Sequence, residues 1–222
     1  MPTERELAEK HQVSRGTAVK ALDLLVSEGL VTTGATRAGR RVQDRQAISI
    51  YASRSERMDH RRTAGVDAWV SDTEANGFSA GQEIEVSVES ASAEMAGYLA
   101  IAAGDRVVVR KRVRTIDGRP AGRSDSYYPM RMTDTVPEIL DPADVSQGVI
   151  ALMAERGLAQ TRYEDRLRGR PPTPEEAQAL HLPPGVSVLV QDRIGFANDQ
   201  VVRVTRQVWP GDSVELVYEL PA

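Results

Sequence analysis

The sequence predicts an α+β protein of two domains, and three observations support this prediction. Residues 3–42 have the pattern of two short helices, a tight turn and a β-hairpin. The remaining chain alternates short strands with short helices. Within it, residues 93–129 match residues 174–210 at a constant offset of 81. A fixed offset indicates internal duplication, so we expect a small helical domain followed by an antiparallel sheet made of two similar halves.

The N-terminal domain is predicted to begin with two helices. Thr3 is a favourable N-cap for a first helix over residues 4–11, and Glu6 three residues later completes a capping box. Ser14 caps a second helix that extends to about residue 28. The apolar positions of the second helix form one stripe, as expected of a helix with one buried face: Ala18, Ala21, Leu22, Leu25 and Val26.

The start of the second helix has the composition of a DNA-reading element. It begins with Arg15, Gly16 and Thr17, and the major groove admits a helix whose first residues meet base edges. Two strands follow, over residues 30–33 and 40–43, with a glycine- and arginine-rich tip between them. An ordinary helical hairpin with a solvated face explains the same pattern, and the pattern alone leaves both alternatives open.

Three segments of this domain carry a family resemblance: Pro2–Ala8, Val13–Thr17 and Lys20–Val31. They resemble the winged helix-turn-helix of the GntR family of bacterial transcription regulators. That family usually has another helix before the first of these segments; this sequence begins at the segment, so either the true start lies upstream or the domain lacks its first helix. The resemblance implies contacts to double-stranded operator DNA from the helix starts and the wing: Thr3, Arg5, Ser14, Arg15, Gly16, Thr17, Lys20, Arg37, Gly39 and Arg40.

Composition limits the classes of protein to consider. Cysteine is absent, which excludes disulfides and thiolate metal sites. The chain has neither a membrane-spanning apolar run nor a signal-peptide core, so we expect a cytoplasmic protein with no membrane partner. Residues 1–62 contain twelve Lys and Arg against eight Asp and Glu, whereas the rest contain sixteen against twenty-four. A basic N-terminal part joined to an acidic remainder is expected if the N-terminal part contacts DNA phosphates. Chance can also produce this modest charge imbalance.

Each copy of the duplicated segment is predicted to contain a short helix, a tight turn, a strand, a hairpin and a second strand. Asp117-Gly118 is a strong hairpin signal and Asn198-Asp199 a weaker one. Leading strands are predicted over residues 83–89 and 162–168, and a final strand over residues 213–220. We therefore expect a sheet of six or seven antiparallel strands with helices on one side. The offset relates these positions: Ala96, Leu99, Ile101 and Gly104 to Ala177, Leu180, Leu182 and Gly185.

The C-terminal part carries a second, looser resemblance over residues 63–221. It resembles the UTRA effector-binding domain of the HutC-type branch of GntR regulators, whose fold is that of chorismate lyase. The motifs are Arg112–Arg114, Asp117–Pro120, Ser124–Pro129, Val190–Arg193 and Trp209–Asp212. The resemblance implies a chorismate lyase-like sheet that binds a small-molecule effector.

No catalytic or metal-binding set is visible in the sequence. His11, His60 and His181 are scattered and lack the spacing of a metal motif. No glycine-rich phosphate loop is present, since residues 34–39 are better explained as the tip of a wing. We therefore expect no cofactor, no metal and no enzymatic activity.

Arginines on one predicted strand suggest an anion site. Arg110, Arg112 and Arg114 share a face because residues two apart in a strand point to the same side. The duplication places Arg193 at the position of Arg112, and paired guanidinium groups suit carboxylate or phosphate recognition. A solvated sheet face is the alternative, as is neutralisation by acidic neighbours. The acids considered for that role are Asp125, Glu164 and Asp192.

In the resembling domains this region holds the effector, and we expect the pocket of this chain on the sheet face away from the helices. Arg203 stands where family members that bind sugar phosphates often have Glu, which favours an acidic ligand. The effector-binding set that we predict combines these arginines with neutral hydrogen-bonding groups: Arg112, Arg114, Ser124, Ser126, Tyr163, Arg193, Arg203 and Thr205.

Together these patterns predict a homodimeric repressor. Residues 1–43 would be the DNA-binding domain, 44–62 a linker and 63–222 the domain for effector binding and dimerisation. A chorismate lyase-like enzyme with a DNA-binding appendage remains an alternative, as does a dimeric DNA-binding protein without a ligand.

Overall fold

The N-terminal helices form as their caps predict. The computed structural model describes residues 1–28, 30–33, 40–42, 48–53, 68–75, 77–143, 145 and 148–220. Helix α1 (Glu4–His11) begins at Thr3 with a complete capping box, and α2 (Arg15–Ser27) begins at Ser14, whose hydroxyl accepts from the backbone N–H of Thr17. Strands β1 (Val31–Thr33) and β2 (Arg40–Val42) pair antiparallel. Two helices and a hairpin therefore stand in the order of a winged helix-turn-helix.

The C-terminal part contains a six-stranded antiparallel sheet. Its strands are β4 (Ala80–Ser90), β5 (Arg106–Ile116), β6 (Arg119–Pro129), β7 (Arg162–Arg170), β8 (Val188–Ala197) and β9 (Gln200–Pro210). They lie in the order β4-β5-β6-β9-β8-β7. The helices of this part are α3 (Ala68–Ala75), α4 (Ala93–Leu99), α5 (Val149–Glu155) and α6 (Pro174–Ala179), with 3-10 turns at Met130–Asp134 and Pro137–Leu140.

The predicted duplication is confirmed in the backbone. The register of β7 on β8 repeats that of β4 on β5, and the β-bulge at Arg114/Thr115 recurs at Gly195/Phe196. Ser92 and Thr173 cap α4 and α6 in the same way. Residues with positive φ also recur at the offset of 81: Ala100 and His181, Gly104 and Gly185, Asp117 and Asn198, Gly118 and Asp199.

Helices α4 and α6 cover one face of the sheet. Leu99 and Met95 pack on Val107 and Val109 in one cluster, while Leu180 packs with the valines of β8 and β9 in another. The burial of these side chains is the main contribution to the stability of this layer. This surface of the sheet is called the helix face below.

The expectation that helices lie on one side only is wrong. The two 3-10 turns and α5 pack on the opposite face, where Met132, Ile139 and Met153 join Val108 and Tyr128 in a buried cluster. These turns follow β6 directly. Because short 3-10 turns show little helical periodicity of apolar residues, this layer could not be predicted from the sequence. The face opposite α4 and α6 is called the open face below; α5 and the turns pack on part of it, and most of its polar side chains are buried.

The final strand does not join the sheet. Strand β10 (Val214–Val217) instead pairs in parallel with β3 (Ile48–Tyr51), a short strand within the predicted linker. Residues 64–67 and 76, on either side of α3, lie outside the described residues, as does most of the predicted linker. Within the described ranges no helix is long and apolar enough to span a membrane.

Candidate functional site

The predicted effector residues share the open face of the sheet. Directly opposed strand residues have side chains on the same side. Ser126 is opposite Thr205, which is opposite Arg193. Arg203 and Tyr163 are both opposite Gly195. Arg112, Arg114 and Ser124 belong to the same face by strand alternation, so all eight predicted residues are on the surface predicted for them.

Arg112 is the central half-buried cation of this face. Its Nε donates to the carbonyl oxygen of Ser124 at 3.3 Å, and its Nη2 donates to Ser126 Oγ at 2.5 Å. Ser126 Oγ in turn lies 3.0 Å from Thr205 Oγ1. All of these partners are neutral, so the positive charge of Arg112 has no carboxylate partner within the described part of the chain.

Arg193 has a different environment from Arg112. Its Nε and Nη2 donate to the two carboxylate oxygens of Asp165 at 2.7 and 2.6 Å. Burial alone raises the pKa of Asp165, but the hydrogen bonds and charge of Arg193 outweigh it and hold the pKa below its usual value. The phenol of Tyr218 and the amide of Gln191 donate to the same carboxylate. Arg193 is therefore neutralised within the protein.

The remaining arginines of the open face have structural contacts. Arg110 is buried and donates to the backbone carbonyls of Glu138, Ile139, Asp141 and Ala143, which closes the second 3-10 turn. The guanidinium of Arg114 lies 5.1 Å from the ring centroid of Trp69, a cation–π geometry. Arg203 is buried at the position opposite Gly195.

The acids considered as neutralising neighbours bind other arginines. Asp192, fully buried, accepts from Arg206 at 2.6 Å and pairs with Arg168 at 2.9 Å. Asp125 and Glu164 pair with Arg123 and Arg166. These three acids alternate with the residues of the open face along their strands, so they belong to the other side. Asp165 takes the neutralising role instead, and only for Arg193.

Two buried polar atoms next to this cluster have no hydrogen-bond partner among the described residues: Ser124 Oγ and Gln160 Oε1. Ser124 is 1% exposed, and its carbonyl already binds Arg112. An unsatisfied buried hydroxyl costs about 1–3 kcal/mol, so a ligand or water that supplies a partner would be stabilised here.

A cleft of about 450 Å³ lies at the hairpin end of the open face. Ile50, Trp69, Ile116, Trp209 and Val214 are among its lining residues. The rings of Trp69 and Trp209 lie 5.7 Å apart. Gly122 permits this packing, because a Cβ there would be 2.3 Å from the Trp209 ring. Its lining also includes the polar residues Asp117, Arg119 and Ser213, and it does not include the predicted effector residues.

The start of α2 presents Arg15, Gly16, Thr17 and Lys20 to solvent, and Arg5 is exposed on α1. The guanidinium of Arg15 lies 3.1 Å from a carboxylate oxygen of Glu4. Hydrogen bonds from Arg15 and Arg40 lower the pKa of that carboxyl group. Glu4 therefore holds the Arg15 guanidinium beside the first turn of α2.

Several predicted DNA-contacting residues have local structural roles as well. Thr3 and Ser14 are N-caps, and Ser14 Oγ is 2.9 Å from Thr17 Oγ1. Arg40 donates to Glu4 and Asp23, both at 2.8 Å, which fastens β2 to the two helices. Arg37 and Gly39 lie outside the described residues.

Sequence reasoning missed Asp165, Gln191 and Tyr218. Asp165 lies between Tyr163 and Leu167 in the alternation of β7, so a placement on the open face was available from the sequence. Its contact with Arg193 required the register of β7 on β8, which the sequence does not specify. Tyr218 follows β10, whose pairing with β3 was not foreseen.

Comparisons with known proteins agree with this architecture. Residues 80–215 match the UTRA domain, and residues 1–40 match the bacterial regulatory proteins of the gntR family. The HTH-type transcriptional repressor PhnF of Mycolicibacterium smegmatis is 27% identical over 213 residues, covering 95% of this chain and 80% of that protein.

Solved structures show the same fold. The crystal structure of PhnF from Mycobacterium smegmatis has a TM-score of 0.64 at 24% identity, covering 100% of this chain and 92% of that one. The effector domain of PhnF from the same organism has a TM-score of 0.59 at 25% identity, covering 69% of this chain and 94% of that one. A GntR-family regulator from Bacillus cereus has a TM-score of 0.55 at 18% identity, covering 64% and 99%.

The fold and these similarities define a bacterial regulatory protein with a helix-turn-helix and a duplicated sheet domain. The chain belongs to the GntR family and carries a UTRA domain. PhnF is a transcriptional repressor, in agreement with the expectation that this chain is not an enzyme.

Proposed function

We propose that this protein is a transcriptional repressor whose affinity for operator DNA is controlled by a small anionic metabolite. Residues 1–43 would bind DNA, residues 44–62 would link the domains, and residues 63–222 would bind the effector and form a homodimer. Because a bacterial repressor acts on chromosomal DNA, we propose that the protein works in the cytoplasm. Membership of the GntR family and the similarity to the repressor PhnF support the first part of the proposal.

The DNA-binding surface is supported by the exposure of its basic residues. Arg15 and Lys20 stand on the first turns of α2, and Arg5 stands on α1. A recognition helix reads base edges with residues near its N-terminus, and two copies related by two-fold symmetry read a pseudo-palindromic site. This geometry is the reason for proposing a homodimer.

The proposal that the effector is anionic rests on one observation, the environment of Arg112. This guanidinium is half-buried and donates only to neutral oxygens in the described part of the chain. The Ser124 hydroxyl beside it is buried and has no hydrogen-bond partner among the described residues. Removing a charge from water is costly unless it is paired, and a ligand carboxylate or phosphate would supply both the charge and the acceptor.

A physical connection from this domain toward the wing is also present. Strand β3 begins six residues after the end of β2, and it pairs with β10 near the C-terminus. Tyr218, which follows β10, donates to Asp165 at 2.8 Å. A ligand that changes this face can therefore act on the segment that follows the DNA-binding domain. A coupling free energy of about 1–3 kcal/mol is enough to change operator affinity usefully.

Thermal unfolding in the presence of a panel of carboxylates and phosphates tests the effector proposal. We expect at least one anion to raise the melting temperature of the parent, and the Arg112→Ala variant to lose that increase. Arg106→Ala is the matched control, because Arg106 is an exposed arginine at the start of the same strand. A protein that no anion stabilises would be a dimeric DNA-binding protein without this effector, and turnover of an acid would indicate an enzyme.

A further inference from the structure

The two halves of the sheet differ at one pair of equivalent positions. Arg112 and Arg193 are related by the offset of 81, and so are Ile84 and Asp165. In the first half Ile84 is directly opposite Arg112, and in the second half Asp165 is directly opposite Arg193. The same arginine therefore has an apolar neighbour in one half and a carboxylate in the other.

The carboxylate of Asp165 is fully occupied. Arg193 donates to both oxygens, and Gln191 Nε2 and the Tyr218 hydroxyl donate to Oδ2 at 3.0 and 2.8 Å. Three of these hydrogen bonds end on Oδ2 and one on Oδ1, a total close to the acceptor capacity of an ionised carboxylate. A second anionic group of a ligand placed here would be repelled by the carboxylate of Asp165. If the ligand displaced Asp165, the displaced carboxylate would be a buried charge without its partner.

The other arginines of the open face are also engaged. Arg114 stacks on Trp69, Arg110 binds four backbone carbonyls, and Arg203 is buried with contacts inside the protein. Arg112 differs from the buried Arg110 in being only half-buried, and its partners are one neutral hydroxyl and one neutral carbonyl oxygen.

We infer that Ile84 and Asp165 are specificity-determining residues that set the charge of the effector: the site takes one anionic group, on Arg112, and offers neutral hydrogen-bonding groups to the rest of the molecule. This inference rests on the proposed function. Ser124, Ser126 and Thr205 lie beside Arg112 and supply the neutral groups. The effector is accordingly a monoanion with hydroxyl, carbonyl or amide groups, and compounds with two separated anionic groups are rejected.

Matched ligands make this inference measurable. The probes are linear dicarboxylates from malonate to adipate, each compared with its own monoamide, and inorganic phosphate. Each pair has the same length and differs by one charge. Binding to the full chain is measured by isothermal titration calorimetry at pH 7 and low salt.

The parent should bind a monoamide at least as tightly as the matching dicarboxylate. Ile84→Asp places a carboxylate opposite Arg112, as Asp165 is placed opposite Arg193, and should weaken monoanion binding by about tenfold or more, the loss expected for a charge-assisted contact. Ile84→Asn is the matched control without the charge, and it should bind monoanions nearly as the parent does. Asp165→Asn should shift the preference toward a dicarboxylate by about tenfold or more.

The outcomes separate the inference from the proposed function. A parent that prefers dicarboxylates, or equal behaviour of Ile84→Asp and Ile84→Asn, would overturn the inference while leaving an anionic effector in place. A parent that binds none of the probes, phosphate included, would overturn both. The comparison of Ile84→Asp with Ile84→Asn tests the inference even if Asp165→Asn does not fold. Both Ile84 variants should fold because Ile84 is only partly buried.

Discussion

Asp125 and Arg206 occupy equivalent positions in the two halves of the C-terminal domain, and they are directly opposite each other where β6 meets β9. The pseudo-two-fold axis of the duplicated sheet therefore passes between them. On the helix face, Asp125 pairs with Arg123, and Arg206 pairs with Asp192. The same backbone position thus carries opposite charges in the two halves, each satisfied by a neighbour, and the duplication has diverged without leaving either charge unpaired.

The two hairpins of the duplication provide a test of backbone strain. The backbone angle φ is 74° at Gly118 and 60° at Asp199, the equivalent residue in the second half. A left-handed conformation favours glycine over residues with a Cβ. We expect Asp199→Gly to raise the free energy of unfolding by up to about 1 kcal/mol and Gly118→Asp to lower it by a similar amount. Denaturant unfolding measures both, and changes of the same sign in the two variants would refute the explanation.

Arg15 is expected to read a base in the operator. Arg15→Ala should cost about 1–3 kcal/mol of specific binding if the guanidinium contacts a guanine edge, with little change on random DNA. Glu4→Gln should also weaken specific binding, because Glu4 holds the Arg15 guanidinium at 3.1 Å. Fluorescence anisotropy with operator and random duplexes measures both variants. Equal losses on the two DNAs would show that Arg15 contacts only phosphate.

Arg41 and Arg40 should behave differently although they are neighbours in β2. Arg41 is exposed, and Arg40 is bound to Glu4 and Asp23. Arg41→Ala should weaken binding to any DNA and reduce the slope of log affinity against log salt by about one, as expected for one phosphate contact. Arg40→Ala should instead lower the thermal stability of the N-terminal domain. An unchanged melting temperature in Arg40→Ala, with a reduced salt slope, would assign the phosphate contact to Arg40.

The Asp165–Arg193 pair predicts a dependence of stability on pH. Because folding lowers the pKa of Asp165, its stabilising contribution is present above the unfolded value of about 3.9 and is lost as the pH falls through the folded value. Asp165→Asn should reduce the free energy of unfolding by about 1–3 kcal/mol near neutral pH. The difference from the parent should shrink below about pH 4. A difference that stays constant down to the lowest accessible pH would contradict the ionised pair.

Much of this architecture follows from local signals in the sequence. The caps at Thr3 and Ser14 and the hairpin dipeptide at residues 117–118 each act within a few residues, so they can be recognised without the fold. Strand alternation likewise predicts that Arg112 and Arg114 share one face, and the structure places both on the open face.

The features that sequence analysis missed all depend on long-range pairing. The contact of Asp165 with Arg193 requires the register between β7 and β8, and the role of Tyr218 requires the parallel pairing of β10 with β3. Arg40 resembles a phosphate contact in the sequence because Glu4 and Asp23 are 36 and 17 residues away. Register and loop closure are set by the whole fold rather than by local propensity.

Operator release by an anion tests the central claim most directly. Genomic fragments selected by binding to the protein supply the operator, and anisotropy gives its Kd with and without the anion that most stabilises the protein, for the parent and for Arg112→Ala. We predict that the anion weakens operator binding of the parent by about fivefold or more, while Arg112→Ala binds the operator equally well in both conditions. A parent whose Kd for the operator is the same with and without every stabilising anion would contradict the account.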